Sequence, residues 1–166
     1  MSTVPTSPDA PLARAAALTR ELLADIPLTR AMALSVAACD GDTLTLAAPL
    51  APNINDKGCA FGGSLASLMT LAGWGLVKLA CDARGLACEI YVRDSAIRYL
   101  APVWQDFHAV ARLAEGESFD AFFAALAQRG KGRLRVTCAV PLADGGEAAT
   151  LDAHFVALAP SDANQG

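Results

Sequence analysis

No uninterrupted run of basic residues occurs in this chain, and aromatic side chains make up only 6% of it. A nucleic acid would find neither the charge to hold its backbone nor rings to stack on its bases. Cysteine is present but unorganised. The five thiols (Cys39, Cys59, Cys81, Cys88 and Cys138) are an odd, scattered set without a CxxC pair, which excludes a disulfide frame and a zinc site and suits a reducing, cytoplasmic setting. The N-terminal residues MSTVPTSPDAP lack a charged start followed by an apolar run, so no secretory signal is expected. Repeats and low-complexity linkers are missing too.

What remains is an apolar chain of modest charge. With 166 residues, 54% of them hydrophobic, and a formal net charge of −4, it can bury a full core as one domain. The expected layout is a flexible tail over 1–10, a single domain over 11–160 that opens with a helix over 11–26, and a second tail over 161–166. Leu12, Ala15, Ala16, Thr19, Leu22, Leu23 and Ile26 supply the helical spacing, and Pro27 is expected to stop that helix. Met32, Leu34 and Val36, then Leu44 and Leu46, alternate around an Asp40-Gly41 turn and predict a hairpin.

The organising stretch runs from Asn53 to Arg84. Between Ser64 and Ala80 its only charge is Lys78, and a helix apolar nearly all round must be enclosed. At roughly 30 Å it is also long enough to span a bilayer. Thr70, Gly73 and Gly75 argue against lipid, and strand-like segments flank it, so a buried helix of a soluble protein is expected. Beyond it, strands are predicted over Cys88–Val103, Phe107–Leu113, the alternation Leu134 to Val140, and Leu151 to Ala157 after a turn at Asp144, Gly145 and Gly146. Phe119, Phe122, Phe123 and Leu126 predict a short helix capped by Ser118, or a bulged continuation of a strand. One long helix wrapped by an antiparallel sheet fits this order and makes the chain α+β.

Chemistry-bearing residues gather just before that helix. Gly62 and Gly63 leave its first N–H groups bare to meet a ligand oxygen. Asn55, Asp56 and Lys57 place an amide, a carboxylate and an ammonium in the preceding loop; capping of that loop is the alternative reading of the same residues. Phe61, Leu65, Met69 and Tyr99 suggest an apolar wall. Ser64 and Ser95 stand in no nucleophile motif, so a serine hydrolase is not expected. Cys59 reads as a spacer, and His108 and His154 as surface or edge residues of strands. Lys57, Arg93, Arg98, Arg133 and Arg135 could meet phosphates or an acidic protein, or be merely solvated.

Two runs, NDKGCAFGGS at Asn55–Ser64 and DSAIRYLAPV at Asp94–Val103, resemble the hotdog-fold thioesterases, and among them the YiiD C-terminal-type thioesterase domain. The resemblance covers about residues 30–160. It implies a homodimer or higher homo-oligomer with sheets joined edge to edge and sites at the subunit interface, acting on acyl groups carried by coenzyme A or an acyl carrier protein. No cofactor, metal, nucleic acid or membrane is implied beyond the coenzyme A or phosphopantetheine that carries the substrate. It also implies that the thioester oxygen faces Gly62 and Gly63 and that Asn55 touches the thioester, with Lys57, Phe61, Ser64, Asp94 and Ser95 nearby on the substrate. Where His-Gly-Gly relatives carry histidine this chain has Phe61, where they carry a helix carboxylate it has Thr70, and where Asp-x-x-Gly relatives carry their acid it has Asn55. Hydrolysis would therefore recruit Asp56, Asp94 or a residue of a second subunit. Decarboxylation of a malonyl thioester, an activity linked to relatives that feed fatty acid synthesis, and acyl-thioester binding without turnover are the alternatives.

Overall fold

The computed structural model describes residues 10–160; the expected tails, Ala10 apart, lie outside the described residues. α1 (Ala10–Asp25) buries Leu18 and Leu22 against the domain. α1 ends before Pro27 as expected, and Pro27 then opens a second short helix that the spacing did not suggest, α2 (Pro27–Ala31). Proline is well placed there, since the first helical N–H has no intrahelical partner to lose. The hydroxyl of buried Thr29 lies 2.6 Å from the carbonyl of Leu22 and 2.7 Å from that of Ile26, closing the end of α1.

The hairpin follows as β1 (Ser35–Cys39) and β2 (Thr43–Ala48). It starts later than the alternation suggested: Met32 is the C-cap of α2, and Met32 and Leu34 are buried from the connecting turn. After a 3-10 turn at Ala51–Asn53 comes α3 (Gly62–Ala83). The remaining elements are β3 (Glu89–Tyr99), β4 (Phe107–Leu113), α4 (Phe119–Arg129), β5 (Lys131–Pro141) and β6 (Glu147–Leu158). The segment at 119–129 is thus the helix rather than the bulged strand. Ser118 accepts the N–H of Ala121 at its start, and Gly130, at φ 66, ends it.

All six strands form one antiparallel sheet in the order β1-β2-β4-β5-β6-β3. Its inner face closes around α3 in the hotdog arrangement. The helix is long and apolar enough to cross a membrane, yet 56% of the relevant window is buried by the sheet. Close approach depends on small residues in α3. A methyl group on Gly73 would sit 2.8 Å from the Phe155 ring of β6, and one on Gly75 would sit 2.6 Å from Leu44 of β2. Trp74 donates its indole N–H to the carbonyl of Ile90 at 3.1 Å, tying α3 to the edge strand β3.

Candidate active site at the start of α3

The loop before α3 is held by one side chain that the sequence pattern does not advertise. Asn53 is 97% buried; its side-chain amide donates to the carbonyls of Met32 (2.9 Å) and Pro49 (2.8 Å), and its backbone carbonyl accepts the N–H of Phe61 at 2.7 Å. Its neighbours Ile54 and Ala60 then pair as an isolated antiparallel bridge. Between them the chain makes a tight excursion in which Gly58 takes φ 84, a value costly for any residue with a β-carbon. A polar asparagine in a loop reads as solvent-facing in sequence, and only the distant carbonyls around it reveal its place.

Asn55 sits at the neck of this excursion. Its amide donates to the thiol sulfur of Cys59 at 3.1 Å, and its Oδ1 accepts the N–H of Lys57 at 2.8 Å. Cys59 is buried, so it is more than a spacer: it fixes how the Asn55 amide is turned. Asp56 and Lys57 pair with each other at 2.9 Å on the outside of the loop, 79% and 70% exposed. Ala60 donates to the carbonyl of Val103 at 2.8 Å, which joins the loop to the segment after β3.

Phe61 occupies the N-cap position of α3 without capping it. Ser64 and Leu65 both donate backbone N–H groups to the Phe61 carbonyl, at 2.9 and 3.1 Å. The N–H groups of Gly62 and Gly63 reach no acceptor among the described residues. These are the orphan donors that a helix N-terminus offers to an anion or a polarised carbonyl, favoured further by the helix dipole. The ring of Phe61 lies across Gly63, where a β-carbon would come within 2.3 Å of it. On the other side the ring of Tyr99 lies against Gly62, and its hydroxyl donates to the Gly62 carbonyl at 3.3 Å.

Together these residues border an open groove of about 380 Å³, lined by Asn55, Cys59, Gly62, Leu65, Tyr99 and Leu100 among others. The structure thus brings Asn55 and Gly62 to one cavity with Gly63 and Phe61 beside it, and Met69 is buried in the core. Ser64, in the first turn of α3, is half-buried. Asp94 and Ser95 stand elsewhere. They lie on β3 five and four residues before Tyr99, which is about 13–17 Å along an extended strand. Asp94 faces away from α3 and bonds His154 of β6 at 2.7 Å between Oδ1 and Nδ1. That pair went unseen in the sequence because it joins residues 60 apart across a register bulge between Val92 and Asp94. No group of three or more potential metal ligands occurs among the described residues.

Comparison with known proteins bears on the fold and the family. A family model described as "Putative thioesterase (yiiD_Cterm)" matches residues 15–159. A protein of unknown function from Chlorobaculum tepidum superposes with a TM-score of 0.84 at 30% identity, over 90% of this chain and 97% of that one. A putative thioesterase from Shewanella oneidensis gives 0.78 at 30% identity, over 89% and 99% of the two chains. A Haemophilus influenzae thioesterase gives 0.63 over 84% and 88%, and at 11% identity that likeness speaks to the fold alone.

Proposed function

The chain belongs to the YiiD C-terminal thioesterase family of the hotdog superfamily, and from that membership we propose that it hydrolyses acyl thioesters carried on coenzyme A or an acyl carrier protein. The observation that carries this reading is the pair of unpartnered N–H groups at Gly62 and Gly63, opening beside a groove that also holds the Asn55 amide. Donors fixed at that point stabilise negative charge as it develops on the thioester oxygen, each worth roughly 3 kcal/mol. The apolar part of the acyl chain lies along Leu65 and Tyr99. Asn55, already turned by Cys59, orients the carbonyl or the attacking water.

Hydrolysis also requires a base. Asp56 is the carboxylate nearest to Asn55 in the chain, and it meets the groove by leaving Lys57. The edge strand β3 supports a homodimer in which a second copy extends the sheet and adds its own residues to the groove. A second reading is favoured by the same inventory: the groove of one chain has donors for an enolate but no carboxylate on its wall. Decarboxylation of a malonyl thioester needs no base. Carbon dioxide leaves with cleavage of the carbon–carbon bond, its electron pair passes to the enolate whose oxygen the donors stabilise, and a proton from solvent then completes the acetyl group.

Mass spectrometry of products from malonyl-carrier protein and from a panel of acyl-CoAs separates the readings, each run repeated with Asn55→Ala. Free thiol that falls about a hundredfold or more in the variant is the expected result. Acetyl-carrier without free thiol would replace hydrolysis by decarboxylation. Absence of both products would leave a thioester-binding protein.

A further inference from the structure

The face of the sheet turned away from α3 holds a saddle-shaped cavity of about 620 Å³. Strand register lays its floor out in rows. Arg112, Thr137, Asp152 and Ala96 stand side by side across β4, β5, β6 and β3. In the next row Arg98 of β3 stands beside Thr150 and Ala139. The two arginines therefore mark opposite corners, about 16 Å apart at the backbone for three strand spacings and two residues, and the floor between them is small.

Asp152 is already satisfied, because Arg135 donates to both of its carboxylate oxygens. Arg98 and Arg112, and Arg133 further along β5, are exposed and have no hydrogen-bond or ion-pair partner among the described residues. The surplus is general to this face. Strands β3 to β6 contain six of the chain's 13 basic residues but only four of its 17 acidic ones. In a chain of net charge −4 these four strands carry a surplus of two positive charges, which favours an acidic partner met by long-range attraction.

A nucleotide fits the saddle poorly. Alanine, threonine and valine give a purine no ring to stack on. An acidic helix fits better: small floor residues allow it to lie close on the sheet, and carboxylates two turns apart, about 10.5 Å, fall within reach of arginines leaning in from the corners. The saddle also communicates with the groove. Arg98 lines the saddle, while the next residues, Tyr99 to Pro102, line the groove at the start of α3.

We infer that the saddle is the docking surface for an acidic helix of an acyl carrier protein, whose pantetheine arm rounds the end of β3 to reach Gly62. This rests on the acyl-thioester reading above and selects the carrier protein over free coenzyme A as the preferred handle of the substrate. The test is fluorescence anisotropy of labelled holo-acyl carrier protein titrated with the protein, a readout that needs no turnover. Binding that weakens with added salt, and a Kd raised about tenfold by Arg98→Glu and by Arg112→Glu but kept within about threefold by Arg98→Lys, is the expected result. Either no binding by the wild type or a Kd untouched by both reversals overturns the inference. Displacement of the carrier by adenosine 3′,5′-bisphosphate would give the saddle to a nucleotide instead. Activity ratios on carrier-bound and coenzyme A-bound acyl groups provide the second arm: loss of turnover on both substrates in the wild type sinks the hydrolase reading while leaving the binding result to stand alone.

Discussion

At the scale of single residues, two asparagines shape the loop before α3 through different bonds. Asn55 was legible in the sequence because it sits in a run of turn formers before a pair of glycines, although its bond to Cys59 was not, since nothing in the spacing says that a thiol will be its acceptor. Asn53 was legible only as the start of the stretch. Its burial follows from carbonyls at residues 32 and 49, which the fold delivers from other elements. Asn53→Ala leaves both carbonyls without their donor inside the protein, and such a loss costs about 1–3 kcal/mol. Chemical denaturation is expected to show a drop of that size, with activity falling further than stability because the path into α3 loosens. An unchanged midpoint would mean that water replaces the amide without cost.

Elements raise a different kind of question, in which two effects of one substitution oppose each other. Replacing a mid-helix glycine by alanine ordinarily gains about 1 kcal/mol from propensity. At Gly73 the added methyl would meet the Phe155 ring at 2.8 Å, and overpacking in a closed core costs about 1–3 kcal/mol. The collision wins, so Gly73→Ala is expected to lower the melting temperature, where the same change on an exposed helix would raise it. The β1–β2 turn gives a prediction in pH. Backbone N–H groups of Thr43 and Asp42 donate to Asp40 and hold its carboxyl below the usual carboxylate range. A carboxyl lowered in the folded state contributes stability above its ordinary pKa and loses it as pH falls through the lowered value. Melting curves of wild type and Asp40→Ala should therefore converge as the pH drops below about 4 and separate above it. These elements were readable because alternation, Ser118, Gly130 and the Asp40-Gly41 turn are local signals. Pro27 was legible as the stop of α1 but not as the start of α2, which is held in place by the Thr29 hydroxyl on carbonyls of the preceding helix end.

For the whole molecule the open feature is the edge. β3 is an 11-residue edge strand, exposed along most of its length, with Tyr91 at 54% and Val92 at 44%. A long edge left unpaired invites association, and a second copy of the same strand would cover it. Light scattering is expected to give about twice the 17.1 kDa of one chain, and Val92→Lys to return the single-chain mass with most activity lost. A wild type of single-chain mass would confine the site to one copy. The succession of elements along the chain could be read from the sequence as a likeness to a known arrangement, but the saddle could not. Its arginines come from β3 and β4, and only the register sets them around one floor.

The burial of α3 has a further consequence in time. Four of the six strands that enclose it follow it in the chain, so during synthesis the helix is complete before most of its cover exists. The roughly 75 residues to the end of β6 take about 4–15 s to emerge at ordinary translation rates. For that interval a segment long and apolar enough for a bilayer lacks most of the strands that cover it in the finished fold, with Lys78 the only charge between Ser64 and Ala80.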